Sequence, residues 1–503
     1  MGIVFLLAVF TCCLFLSPLT NAVEISPPNQ IILTWTDDPA TTQTITWLMA
    51  TDVPGRVEYL EAYSFDGGFD QAMQIEAQSS ILGSLYYRNT VNISGLTPDT
   101  EYVYRVGDEG AWSEPYSFTT GADTDTYSFL YMGDVQEGYP EWGNTLNSIF
   151  DAYPDIRFSL LGGDLTDKGN DENEWGQFLT AATPVLARIP MMPTLGNHEG
   201  YMYYKFMALP DNGPAGLEQE FYSYDFGNAH FTILNSNNNT NETAKQWLQQ
   251  DLESTNKTWK FVMFHHPAYP AFKDYKGIDE SIRTNWVPTL EANGVDMVFV
   301  GHQHVYMRTH SIYRGEVQSN PGACGIVYVM GNAGSKYNAA GEAFPYVATE
   351  ETGSNYQVID INGDVLTLTA KKASGELIES YTISKIAVPP EMPQYNIVPS
   401  EKDAYTIGVT PDGIKTMTIN GDQTGFKYFT VSIESVKAHE GQETAIFTHL
   451  RNDFQLELNA AVADFDVVNT AEVGFNTQAG DVIKVFMVDE LSNAIDHNPV
   501  VML

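Results

Sequence analysis

The sequence predicts three structured blocks: an N-terminal β-sandwich, a central α/β domain and an all-β C-terminal domain. Three observations predict it. Short runs of alternating β-branched and aromatic residues fill the chain up to residue 121. From Tyr127 onward, apolar runs alternate with helical stretches. After the proline-rich segment 387–393, β-type alternation returns. At 503 residues the chain is in any case too long for one ordinary core.

Taken in order, Gly2 to Leu19 are almost all apolar and uncharged, and Thr20-Asn21-Ala22 offers a cleavage site before Val23. This predicts a signal peptide over 1–22 and a secreted or extracytoplasmic protein with no membrane span after cleavage. Cleavage removes Cys12 and Cys13 and leaves Cys324, so no internal disulfide is expected. Residues 23–121 form the sandwich, with strands such as Gln43 to Leu48, Tyr102 to Val106 and Tyr116 to Thr119. The central domain spans 126–386 and includes a helix over Thr243 to Leu252. Residues 396–503 form a β-rich domain, with strands at Phe429 to Ile433 and Val482 to Phe486, whose role the sequence does not reveal.

Charge narrows the function classes. The chain has 64 Asp+Glu against 25 Lys+Arg, a net charge of −39. A surface that acidic repels nucleic-acid backbones and anionic membranes, which argues against a nucleic-acid-binding scaffold and favours a small substrate.

The chemistry lies in the central domain, where apolar strands repeatedly run into metal-type ligands. Ser128 to Met132 leads to Gly133-Asp134-Val135-Gln136, and Phe158 to Leu161 leads to Gly162-Gly163-Asp164. Met192 to Leu195 leads to Gly196-Asn197-His198-Glu199, Phe261 to Phe264 to His265-His266, and Met297 to Val300 to Gly301-His302-Gln303-His304. Ligands in open α/β sheets collect at the carboxyl ends of strands, so five such blocks can converge at one edge. The glycines ahead of the ligands are expected to let the chain turn out of the sheet. Taken singly, Asp134 or Asp164 reads as a cap, Asn197 as a turn residue and His265 or His266 as a structural histidine. His230, His439, His449 and His497 lack companions and read as structural.

The five blocks, in this order, resemble the calcineurin-like metallophosphoesterase superfamily. Leu96 to Asp108 and Trp112 to Thr120 are similar to the fibronectin-like N-terminal module of purple acid phosphatases. The resemblance covers residues 23–386; the C-terminal domain lies outside it. It implies a four-layer central domain, two β-sheets flanked by helices, and two metal ions bridged by Asp164. Asp134 and His304 would hold the first ion; Asn197, His265 and His302 the second. Mixed oxygen and imidazole donors suit Fe, Mn or Zn. It further implies phosphomonoester hydrolysis by a metal-activated hydroxide, with His198 as proton donor; His266, beside the ligand His265, is expected to help.

Two positions depart from the purple acid phosphatase pattern. Its metal-binding tyrosine is Asp167 here, and the third position of the first block is Gln136. Gln136 is expected to give its amide oxygen to the first ion, with Asp167 behind it, so no tyrosinate colour is expected. Two other readings compete. One is a phosphodiesterase or nucleotide pyrophosphatase on the same metals. The other is a non-enzymatic cell-surface binding protein, against which the intact ligand set argues.

Overall fold

The computed structural model describes residues 27–489 except 51–53, 83–85, 274–276, 319–324, 340–343, 386–394, 411–412, 422, 437–440 and 453. The expected signal peptide over 1–22, Cys324, the proline-rich segment 387–393, His439 and His497 lie outside the described residues. The chain forms two compact units that divide between Lys385 and Ile386.

The first unit opens with two antiparallel sheets. One orders its strands Asn29–Thr34, Thr42–Met49, Tyr86–Ser94 and Gln78–Leu82. The other is built around Glu101–Asp108, which pairs with Arg56–Glu61, Ala111–Trp112 and Tyr116–Thr119. Ile45, Trp47, Val57, Tyr104 and Phe118 fill the space between them.

The sandwich packs closely on the central domain, because its first sheet also buries side chains outward. Trp35 is 1% exposed and lies 5.4 Å from the ring of Phe158 and 5.6 Å from that of Tyr224. The Tyr104 hydroxyl donates to the Ala187 carbonyl at 2.7 Å.

The central domain has the expected four layers. Its first sheet runs Met191–Pro193, Ile156–Leu161, Thr126–Met132, Asn355–Asn362, Val365–Lys372 and Leu377–Ser384, the first three parallel. The second runs Tyr222–Phe226, Ala229–Ile233, Trp259–Met263, Met297–Val300, Val327–Met330, Val305–Thr309 and Val347–Thr352, with four consecutive parallel strands from Ala229–Ile233 to Val327–Met330. These parallel strands are covered on both faces, which is why they read as unbroken apolar runs.

Between the sheets, Phe129 stacks on Phe158 at 5.2 Å and meets Phe231 and Phe261 edge-on at 5.4 and 5.5 Å. The helices Tyr139–Ala152 and Glu172–Leu186 cover one side through Trp142 and Phe178. Glu242–Ser254 and Val287–Ala292 cover the other through Leu248, Leu252 and Leu290. Asp171 and Asn241 cap two of these helices with side-chain acceptors, as residues of their type do.

The second unit is all-β. A three-stranded sheet, Tyr395–Pro399, Gly425–Ser435 and Thr470–Thr477, and a five-stranded one share a core of Met417, Phe429, Phe447, Phe475 and Val485. Among the described residues, no helix is long and apolar enough to cross a membrane.

Candidate metal centre

Parallel pairing of Ile156–Leu161 with Thr126–Met132 on one side and Met191–Pro193 on the other brings Asp134, Asp164 and Asn197 to one edge of the first sheet. Trp259–Met263 and Met297–Val300 deliver His265, His302 and His304 from the second. The ligand atoms of Asp134, Asp164 and His265 lie within 4.8 Å of one another, and all three residues are buried.

Two glycines are there for room. A Cβ on Gly196 would stand 2.1 Å from Asp164 Oδ1, and one on Gly301 would stand 2.2 Å from Asp134 Oδ1. The expected left-handed turn falls on Gly163, whose φ is 87°, and not on these two. That conformation also falls on the site residues themselves: Gln136, Asp164, His302 and His304 have φ of 44°, 50°, 77° and 53°. Each is a strained conformation for a residue with a side chain, of a kind that concentrates at functional sites.

Hydrogen bonds fix which atom of each ligand faces inward. His265 Nδ1 lies 2.9 Å from the Gly162 carbonyl, which can only accept, so Nδ1 carries a proton. Its Nε2 faces two oxygens, Asn197 Oδ1 and Asp164 Oδ2, each at 3.2 Å. Three lone pairs aimed at one point need a cation between them, a proton or a metal. Burial opposes a charge on this ring, but Asp164 and Asp134 outweigh it and push its pKa up to about 10. Burial likewise opposes ionisation of Asp164, yet His265 and the His198 backbone N–H hold its carboxyl well below the usual range.

Asp134 Oδ1 accepts from the His302 backbone N–H at 2.8 Å. Its Oδ2 stands 3.2 Å from His304 Nε2. Both Asp134 Oδ2 and His304 Nδ1 are buried and lack a hydrogen-bond partner among the described residues. Buried unpaired acceptors are costly unless something else satisfies them, and the donor set suits a borderline or hard divalent or trivalent ion.

His198 is partly exposed beside an open depression lined by Asp167, Lys168, Asn170 and Asn197. Its Nδ1 lies 2.6 Å from the Asp167 carbonyl and is therefore protonated, leaving Nε2 4.0 Å from Asp164 Oδ2. Asp167 thus sits behind His198. His266 is 3% exposed, with Nδ1 2.9 Å from the Ser236 hydroxyl and its ring centroid 4.4 Å from that of His302. The structure brings His266 to the histidine cluster but not to the open depression.

Gln136 departs from expectation. Its Nε2 donates to Asp164 Oδ2 at 2.9 Å, and its Oε1 accepts from Lys336 Nζ at 3.0 Å. The oxygen expected to bind the first ion is turned toward an ammonium, which has protons to give and no lone pair. His230, read as structural, is: its nitrogens lie 2.7 Å from Asp225 and 3.0 Å from Asp251. His449 is likewise paired, 2.7 Å from Asp481.

Two features escaped sequence reasoning. Glu199, in the third block, accepts from the backbone N–H groups of Asp164 at 3.0 Å, Leu165 at 2.6 Å and Gly196 at 2.6 Å. It clamps two ligand loops together. Burial and the Asp164 charge push its pKa up to about 7. The second is a sixth strand-end block. Val327–Met330 runs into Gly331-Asn332, and Asn332 forms a bridge to Asp134. The same strand-then-glycine signal was present there.

Residues 127–306 match the calcineurin-like phosphoesterase family model, so the central domain is a calcineurin-like phosphoesterase domain. Residues 28–120 match the model for the purple acid phosphatase N-terminal domain, and the chain carries the two in that order. Purple acid phosphatase 22 of Arabidopsis thaliana is 29% identical over 268 residues, which is 50% of this chain and 59% of that protein. Purple acid phosphatase 15 of the same plant is 26% identical over 329 residues, covering 56% and 58%. The chain thus spans about three-fifths of the length of these relatives. The structure of purple acid phosphatase PPD1 from yellow lupin shares the fold, with a TM-score of 0.63 and 18% identity over 71% of this chain and 74% of that one. PhoD shares it with a TM-score of 0.56 and 14% identity over 71% and 93%.

Proposed function

We propose that this chain is a dinuclear metal-dependent phosphatase that hydrolyses small phosphomonoesters outside the cytoplasm. The observation that carries the reading is the placement of Asp164. Its carboxylate lies within ligand distance of Asp134, itself beside His304, and of His265, itself beside Asn197. Asp134 and His304 would hold one ion, Asn197, His265 and His302 the other, and Asp164 would bridge them. Iron, manganese or zinc suits these donors. The two ions would supply Lewis acidity toward the phosphoryl group and the attacking water.

The rest is done by the protein's own side chains. With Nδ1–H spent on the Asp167 carbonyl, Nε2 is the His198 nitrogen left to pass a proton, from the open side of the site, to a phosphoryl oxygen or the departing alcohol. His266, buried against His302 and tied to Ser236, would steady that ligand. The net charge of −39 supports a small ester over a polyanion, whose remaining phosphates would meet only repulsion. The apolar leader at 1–22 supports export.

Elemental analysis of the purified protein, with nitrophenyl phosphate and bis-nitrophenyl phosphate as substrates, tests this. Two transition-metal ions per chain and faster monoester turnover are expected, with hydrolysis lost in Asp164→Asn. Faster diester turnover would transfer the assignment to a phosphodiesterase. Unchanged hydrolysis in Asp164→Asn would remove the bridged-metal reading.

A further inference from the structure

Gln136 lies between two charged groups that impose the same orientation on its amide. Asp164 can only accept, so it faces Nε2; Lys336 can only donate, so it faces Oε1. One amide group therefore separates a lysine ammonium from the central carboxylate of the site. These two hydrogen bonds hold the amide in place on a left-handed backbone, φ 44°.

Lys336 is delivered on a segment stitched to the site at both ends. On one side, the backbone N–H groups of Ala333 and Gly334 donate to the Asp134 carbonyl, each at 2.8 Å, and that of Ser335 to Glu137. On the other, the Asn338 N–H donates to the His304 carbonyl at 3.2 Å, and its side chain to the Gln303 carbonyl at 3.0 Å. Asn332, bridged to Asp134, donates to the carbonyl of Lys336 itself at 3.0 Å. The lysine is nonetheless exposed. Among the described residues its partner is a neutral amide, so its charge is not cancelled by a carboxylate. In a chain with 64 acidic and 25 basic residues, an exposed cation held one amide away from the central carboxylate of the site, with no carboxylate partner among the described residues, is placed to meet an anion.

We propose, on the reading given under the proposed function, that Lys336 is a phosphate-binding residue of this site and that Gln136 positions it rather than ligating a metal. The ammonium keeps one proton on Gln136 Oε1 and donates another to a non-bridging oxygen of the substrate phosphoryl group. A monoester dianion gains more from this added cation than a diester monoanion does, so Lys336 biases the site toward monoesters.

Titration calorimetry of the metal-loaded protein with inorganic phosphate tests the assignment, with metal content measured on the same samples. Lys336→Met is expected to keep its full metal content and to bind phosphate on the order of tenfold more weakly, while Lys336→Arg stays near wild type. The ratio of monoester to diester turnover should fall in Lys336→Met. Phosphate affinity within about twofold of wild type at full metal content would overturn the role of Lys336 and leave the metal centre standing. Loss of metal in Lys336→Met would make it a support of the ligand loops, also against the proposal. A wild-type protein that holds no metal would remove the proposed function, and this inference with it.

Discussion

Glu199 offers a sharp test of how the site is held together. Its two carboxylate oxygens accept from three backbone N–H groups, those of Asp164, Leu165 and Gly196, at 3.0, 2.6 and 2.6 Å. Replacing it with alanine orphans all three donors at once. Each buried unpaired donor costs about 1–3 kcal/mol, but water refills part of the space the side chain leaves, so we expect a net loss of about 2–4 kcal/mol. Glu199→Gln is the informative partner. One amide oxygen can keep the two contacts made by Oε2, while the amide N–H₂ opposes the Leu165 N–H, so it should fall between wild type and alanine. Thermal unfolding and metal content are the readouts. The alanine variant should melt about 5 °C lower and lose metal, because the Asp164 and Asn197 loops are no longer tied together. A Glu199→Ala protein with unchanged melting and full metal occupancy would refute the clamp.

His198→Gln should lower kcat by about 10²–10⁴-fold while leaving metal content intact, since it removes a proton donor and no assigned ligand. His230 gives a pH test of stability. Burial opposes its charge, but hydrogen bonds to Asp225 and Asp251 outweigh this and push its pKa up to about 9. A raised folded-state pKa means the stabilisation is complete below about pH 6.5 and is lost as pH rises through about 9. Denaturant titrations should show wild-type stability falling by about 3 kcal/mol across that window, a slope that flattens in His230→Gln. Trp35→Ala should cost about 3–5 kcal/mol and lower the melting of the sandwich and the central domain together; a separate early transition of the sandwich would contradict their shared core. With Asp167 at the tyrosine position, the metal-loaded protein should lack a visible charge-transfer band, which an absorption spectrum checks directly.

What the sequence made legible was whatever leaves a pattern along the chain. Buried parallel strands need both faces apolar, so Phe158 to Leu161 or Met297 to Val300 reads as a run, and the residue that follows lies at the open edge. The candidate ligands were found this way. Glu199 leaves no such pattern, because its partners are backbone N–H groups, which carry no residue identity. The orientation of Gln136 depends on Lys336, 200 positions away, and no spacing rule connects them. Continuity of the sandwich with the central domain rests on Trp35 reaching Phe158 and Tyr224, a contact between distant segments. Glycine before a ligand serves two ends here: Gly163, at φ 87°, turns the chain just ahead of Asp164, while at Gly196 and Gly301 the missing Cβ makes room for a carboxylate.

The strained residues bear on whether the centre works or is a relic. Of nine non-glycine residues with positive φ among those described, Gln136, Asp164, His302 and His304 belong to the site. Each such conformation costs on the order of 1 kcal/mol or more, and glycine or asparagine would relieve it. Neighbouring contacts hold the strain: the Val135 and Gln136 N–H groups donate to the Asp164 carbonyl, and the Gly301 N–H to that of His265. A binding protein that used only its β-domains would gain stability by relaxing these loops and by replacing the unpaired Asp134 and His304 atoms with apolar groups. The chain instead keeps imidazoles and carboxylates in unfavourable backbone conformations with their lone pairs aimed at one another. That arrangement is worth its cost only if a cation occupies the gap, so the strain favours a metal-dependent enzyme over an inert scaffold.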